Sequence, residues 1–138
     1  MMKLQIVDFK GKYKEEVMIA VNMIAEADDR PDLPEEIETA LSKELAFLLW
    51  SDGDGFAVLL PQEHQGEIAV NLMLAYSTGT NCVPKYLPSI EHLAKKINAR
   101  YIIGYAKRKK VLKICQSVGF EYKGINRNGL YFFTKFLG

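Results

Sequence analysis

The stretch Glu67-Ile68-Ala69-Val70-Asn71-Leu72-Met73-Leu74-Ala75-Tyr76, followed by Ser77-Thr78-Gly79-Thr80-Asn81 and then Val83-Pro84-Lys85 onward to Ile97, decides the fold. Its first part is apolar at nearly every position, which reads as a strand buried on both faces. The middle part is a small-polar turn able to direct backbone N–H groups outward. The last part places Tyr86, Ile90, Leu93, Ala94 and Ile97 at helical spacing. A buried strand, a turn of this kind and a helix together form an anion site, because free amides and the helix dipole favour negative charge where the strand ends.

Upstream, Leu4–Asp8 reads as a first strand and Gly11 ends it. Tyr13, Val17, Ala20, Val21 and Ile24 then form the apolar stripe of a helix over Lys12–Ala27. Asp28-Asp29-Arg30-Pro31 stops that helix, since proline cannot continue it and restrains the residue before it. A second helix starts at Asp32-Leu33-Pro34-Glu35-Glu36, where acidic residues and a proline suit a first turn, and is expected to reach about Leu45. Leu45–Trp50 and Phe56–Leu60 pair as a hairpin around Ser51-Asp52-Gly53-Asp54-Gly55, and Pro61–Gly66 reads as the next turn.

Downstream, Tyr101–Tyr105 is a further buried strand, so strand, helix and strand imply a parallel pair with a right-handed crossover. Lys109–Val118 is a basic helix with Val111, Leu112, Ile114, Cys115 and Val118 on its apolar face, and Gly119 caps it. Phe120–Ile125 and Leu130–Leu137 form a last hairpin about Asn126-Arg127-Asn128-Gly129. The 138 residues, 49% hydrophobic and 25% charged, fit a single domain over 1–138 with one core.

Several function classes lose support at this level. No apolar run reaches the ~18–20 residues of a membrane span. The N-terminus lacks a secretory pattern, and Cys82 and Cys115 have neither redox nor ligand spacing, so a reduced, cytoplasmic setting is expected. With His64 and His92 they form no metal pattern, and no metal is expected. Net charge is +1, yet residues 1–69 carry −9 and residues 70–138 carry +10. The basic half holds the candidate anion site, which fits either an anionic cosubstrate or a merely dipolar surface. It offers no interleaved aromatic platform, so nucleic acid is an unfavoured partner.

The order β, α, α, β, β, β, α, β, α, β, β, with a helix running through Leu112–Val118 into Gly119-Phe120, resembles the GCN5-related N-acetyltransferase (GNAT) superfamily over nearly the whole chain. The resemblance implies an α/β (α+β mixed-sheet) GNAT-like acyl-CoA N-acyltransferase fold, with acetyl-CoA as cosubstrate and a small-molecule or peptide amine as acceptor. It also implies that the backbone of Leu72, Met73 and Leu74 meets the pantetheine arm in a gap between two splayed parallel strands. Ser77, Thr78, Gly79, Thr80 and Asn81 would hold the diphosphate. Two departures stand out. The turn has one glycine and no arginine, and Cys115 occupies the place of the family's usual proton-donating tyrosine. As a small residue on an apolar face, Cys115 reads as core.

Acetyl transfer needs a neutral amine, a polarised carbonyl and a proton for the leaving thiolate. Glu67, at the head of the central strand, is the candidate base, and Tyr105, at the end of the next, the candidate proton donor. Lys107-Arg108-Lys109-Lys110 either meets the adenosine phosphate or is a solvated face. The sequence therefore supports an N-acetyltransferase. The alternative is a GNAT-like module without catalysis, serving binding or assembly and of phage or mobile-element origin. Apolar strand edges near Leu130–Leu137 leave a homodimer open.

Overall fold

A computed structural model of the protein describes residues 4–78 and 82–138. Its elements follow the expected order: β1 (Gln5–Val7), α1 (Gly11–Ala27), α2 (Leu33–Ser42), β2 (Phe47–Ser51), β3 (Gly55–His64), β4 (Glu67–Ser77), α3 (Cys82–Lys96), β5 (Tyr101–Ala106), α4 (Lys109–Ser117), β6 (Glu121–Ile125) and β7 (Tyr131–Phe136). The strands form one mixed α/β sheet in the order β1-β2-β3-β4-β5-β7-β6. Among the described residues only β4 and β5 run parallel; every other neighbouring pair is antiparallel.

Helices cover both faces, which explains why β4 is apolar on both sides. On one face α1 and α2 bury Val17, Val21, Leu33 and Ile37 against Leu48, Phe56, Val58 and Leu74. On the other, α3 and α4 bury Tyr86, Ile90, Leu112 and Cys115 against Leu59, Val70, Leu72, Ile102 and Phe133. Pro88 lies inside α3 and costs it one donor, yet the buried stripe of Tyr86, Leu87, Ile90 and Ala94 carries the helix through. Among the described residues no helix is long and apolar enough to cross a membrane.

Three expectations change. First, β3 does not stop at Leu60: it continues through Pro61 to His64, and Pro61 pairs with Val70. Pairing with β2 ends at Leu59, so Pro61 sits where β3 has become an edge on that side, a place that tolerates a missing donor. The turn is only Gln65-Gly66, both at positive φ (52° and 78°), as a tight hairpin with matching twist requires. His64 thereby packs against Tyr101 and Phe132 rather than facing solvent in a turn. Second, α2 ends at Ser42, because Glu44 turns to φ 56° and the amides of Leu45 and Ala46 both return to the Ala40 carbonyl. Third, β7 is an interior strand between β5 and β6, so the exposed edge on that side belongs to β6 and not to the Leu130–Leu137 segment.

Candidate active site

The parallel pair β4–β5 is joined over only four registers, Ala69↔Tyr101 through Leu72↔Gly104. Beyond that point β4 continues to Ser77 and β5 to Ala106 without pairing to each other. A local cause is visible on the other side of β4. Leu59 faces Leu72 and Val58 faces Leu74, so Met73 is an extra residue with no partner on β3. A bulge of this kind bends its strand and increases its twist, which carries the second half of β4 away from β5. Amides and carbonyls on the β5 side of that half are left without a ladder partner.

The opening is a cleft of about 310 Å³. Leu72, Met73, Leu74 and Ala75 line it from β4, Tyr105 and Ala106 from β5, and Cys82 and Val83 from the first turn of α3. Val111, Ile114 and Cys115 of α4 close one side, and Ile24, Ala27 and Asp28 at the end of α1 close the other. Four of the residues singled out from sequence, Leu72, Met73, Leu74 and Tyr105, therefore meet at one place. The Tyr105 ring is half-buried and stacked on Phe132 with centroids 4.9 Å apart, which fixes its direction. Cys115 is 1% exposed, and burial pushes its thiol up to about 12, consistent with a core residue and not with an acid.

Glu67 is elsewhere. It stands at the opposite end of β4, five residues or ~16 Å from Leu72, and is ion-paired with Arg100 at 3.4 Å. Its side chain is 43% exposed and does not border the cleft. Of the proposed diphosphate turn, Gly79, Thr80 and Asn81 lie outside the described residues. Ser77 and Thr78 stand at its start. The Thr78 amide donates to the Asp54 carbonyl at 2.8 Å, and Lys85 Nζ reaches Ser77 Oγ at 3.4 Å. Lys85 also bonds both carboxylate oxygens of Asp54, at 3.0 and 3.2 Å, so the β2–β3 turn is tied to α3 beside this segment.

In the sequence, Asp28-Asp29-Arg30-Pro31 reads only as a helix stop. In the fold, Asp28 and Arg30 border the cleft, together with Lys107 and Arg108 from the end of β5. Asp28 pairs with Arg108 Nε and so joins the end of α1 to the start of α4 across the cleft. A signal was available: two carboxylates and an arginine are more charge than a helix stop requires.

No protein-family model and no curated protein sequence matches the chain. Solved structures do. A GNAT-family acetyltransferase from Staphylococcus aureus superposes with a TM-score of 0.69 at 18% identity, covering 98% of this chain and 99% of that one. One from Streptococcus agalactiae gives 0.67 at 10% identity over 98% and 96%. Naa50 from Arabidopsis thaliana, solved with the bisubstrate analogue CoA-Ac-MVNAL, gives 0.62 at 15% identity over 98% and 99%. Across nearly its whole length, then, the chain has the fold of the GNAT acyl-CoA N-acyltransferases.

Proposed function

We propose that the protein is an acetyl-CoA-dependent N-acetyltransferase acting on an amine. The observation that carries this reading is the end of β4–β5 pairing at Leu72–Gly104, with an apolar-lined cleft directly beyond it. An extended pantetheine arm has amides and carbonyls of its own. It fits such a gap as a surrogate strand that starts beside Leu72, the last residue β5 pairs, and satisfies the backbone of Met73 and Leu74 beyond it. The diphosphate then falls at the head of α3, on Ser77, Thr78, Gly79, Thr80 and Asn81, where the helix dipole favours it.

The thioester lies near the point of splay. A neutral acceptor nitrogen attacks the carbonyl carbon, the carbon–sulfur bond breaks, and the Tyr105 hydroxyl gives its proton to the departing thiolate. The proton lost by the nitrogen restores Tyr105 through water, so the products are the amide and the free thiol. Glu67 has no part in this scheme, because its carboxylate lies at the far end of β4.

Melting the protein with and without acetyl-CoA tests the reading. Ligand at 100 times its dissociation constant adds about 2.7 kcal/mol of stability. A shift together with thiol release on an amine panel is expected. A shift without thiol release would favour the non-catalytic binding module, and no shift at millimolar acetyl-CoA would remove the carrier site altogether.

A further inference from the structure

The charged groups bordering the cleft are unequal in sign. Among the described residues, Arg30, Lys107 and Arg108 stand against one carboxylate, Asp28. That carboxylate is only 17% exposed and is already taken by Arg108. Arg30 is half-buried three residues past the end of α1, and its guanidinium makes no ion pair among the described residues. Burial lowers its pKa from the ordinary value, with Glu36 and Asp28 opposing that effect from beyond ion-pair distance. A guanidinium partly withdrawn from water without a bonded anion gains when one is supplied, and its planar fork matches a carboxylate.

Position says which molecule supplies the anion. Arg30 and Lys107 border both the cleft and a second hollow of about 240 Å³ under the α1–α2 turn. They therefore stand where the two meet, on the α1 side of the splay. The carrier's diphosphate belongs at the head of α3. Ile24, Ala27, Asp28 and Arg30 line the α1 side of the cleft, so an acceptor lying along that side has Arg30 beside it. Asp29, Asp32 and Glu36 line the second hollow together with Arg30 and Lys107, so negative charge there is already opposed, more strongly for a doubly charged phosphate than for one carboxylate.

We infer that Arg30, assisted by Lys107, binds an anionic group of the acceptor, which is a small amine bearing a carboxylate a few bonds from its nitrogen. The inference rests on the acyltransferase reading and narrows its substrate class. Paired acceptors test it: amino acids against the amines left when their carboxylate is removed, with acetyl-CoA held constant and thiol release measured. The carboxylate-bearing member is expected to have the higher kcat/KM, expressed per neutral amine, by about ten- to hundredfold. In R30Q that ratio should fall toward one, and R30K should restore part of it, while the affinity for acetyl-CoA measured by calorimetry stays within about twofold. Equal turnover of both members would overturn the inference and leave the acetyltransferase standing. So would a tenfold loss of acetyl-CoA affinity in R30Q, which would assign Arg30 to the carrier's own phosphates. Absence of acetyl-CoA binding to the wild type would remove both readings together. Melting curves without ligand report whether each variant is folded.

Discussion

Tyr86, fully buried on α3, donates its hydroxyl to the carboxylate of Asp54 in the β2–β3 turn, 32 residues away. Lys85, the preceding residue, holds the same carboxylate, and the Asp54 carbonyl accepts the Thr78 amide. One aspartate thus pins a hairpin turn, a helix and the start of the proposed diphosphate segment together. The Tyr86 hydrogen bond, reinforced by Lys85, lowers the Asp54 pKa from the ordinary carboxylate value, while partial burial opposes it. Burial first, and then Asp54, raise the Tyr86 hydroxyl above its ordinary value.

The signs of these shifts set a pH profile. Asp54 is depressed in the fold, so its contribution is complete above the unfolded value of about 3.9 and is lost as pH falls through the lower folded value. Tyr86 is raised, so its contribution is complete below about 10 and is lost as pH rises through the folded value. Urea unfolding at pH 7 should find D54N less stable by about 1.5–3 kcal/mol, the range for hydrogen bonds to charged groups. That deficit should narrow below about pH 4, and the deficit of Y86F should narrow above about pH 10. A deficit in either variant that stays constant across its window would refute the account.

Gly55 is required by close approach. A Cβ placed there would sit 1.9 Å from the Tyr76 carbonyl oxygen and 2.7 Å from Ser77 Cα, both backbone atoms that cannot move without separating β3 from β4. G55A should therefore destabilise by more than about 4 kcal/mol or fail to fold. Gly104 offers a contrast within the same sheet. Its added Cβ would meet the Phe133 ring at 2.5 Å, and a side chain can yield where a carbonyl cannot. Phe133 borders the cleft, so G104A should fold, lose about 1–3 kcal/mol and show a smaller melting shift with acetyl-CoA. Equal stability losses in the two variants would contradict this distinction.

The order of elements was legible because each carries a local signature: the helical stripe from Tyr13 to Ile24, the doubly apolar Glu67–Tyr76 run, the Asn128-Gly129 turn. What sequence left out depends on distant neighbours. Pro61 reads as a strand breaker until β2 is seen to end at Leu59 and leave it an open side. A hairpin signal says that β6 and β7 pair but not which of them docks on β5. Glu67 is a carboxylate on the central strand, yet composition does not say which end of a strand opens. The Met73 bulge follows from the registry of two strands, which no window along one of them contains.

Tyr105 offers a separable test of the chemistry. Its ring is held by stacking on Phe132, so Y105F keeps the packing and removes only the hydroxyl. Stability and the acetyl-CoA melting shift should stay close to wild type. Turnover should fall about 10²-fold or more, as expected when a positioned proton donor is lost. Undiminished turnover in Y105F would take the donor role from this residue.

The bulge admits the most direct test, because deleting its extra residue preserves the inside–outside pattern. Leu72 packs on the α3 and α4 side, while Leu74, two positions on, packs on the α1 and α2 side. That reversal exists only because Met73 is inserted between them. Without Met73, Leu72 and Leu74 become consecutive, face Leu59 and Val58 in unbroken register, and keep their present faces. The deletion variant should therefore fold with a straighter β4. Its ladder to β5 should extend past Leu72–Gly104, seen as slowed amide exchange in the residues beyond. The cleft would narrow as the ladder lengthens, and the acetyl-CoA melting shift should disappear. If the variant folds and still binds acetyl-CoA as wild type does, the bulge is not what holds the two strands apart.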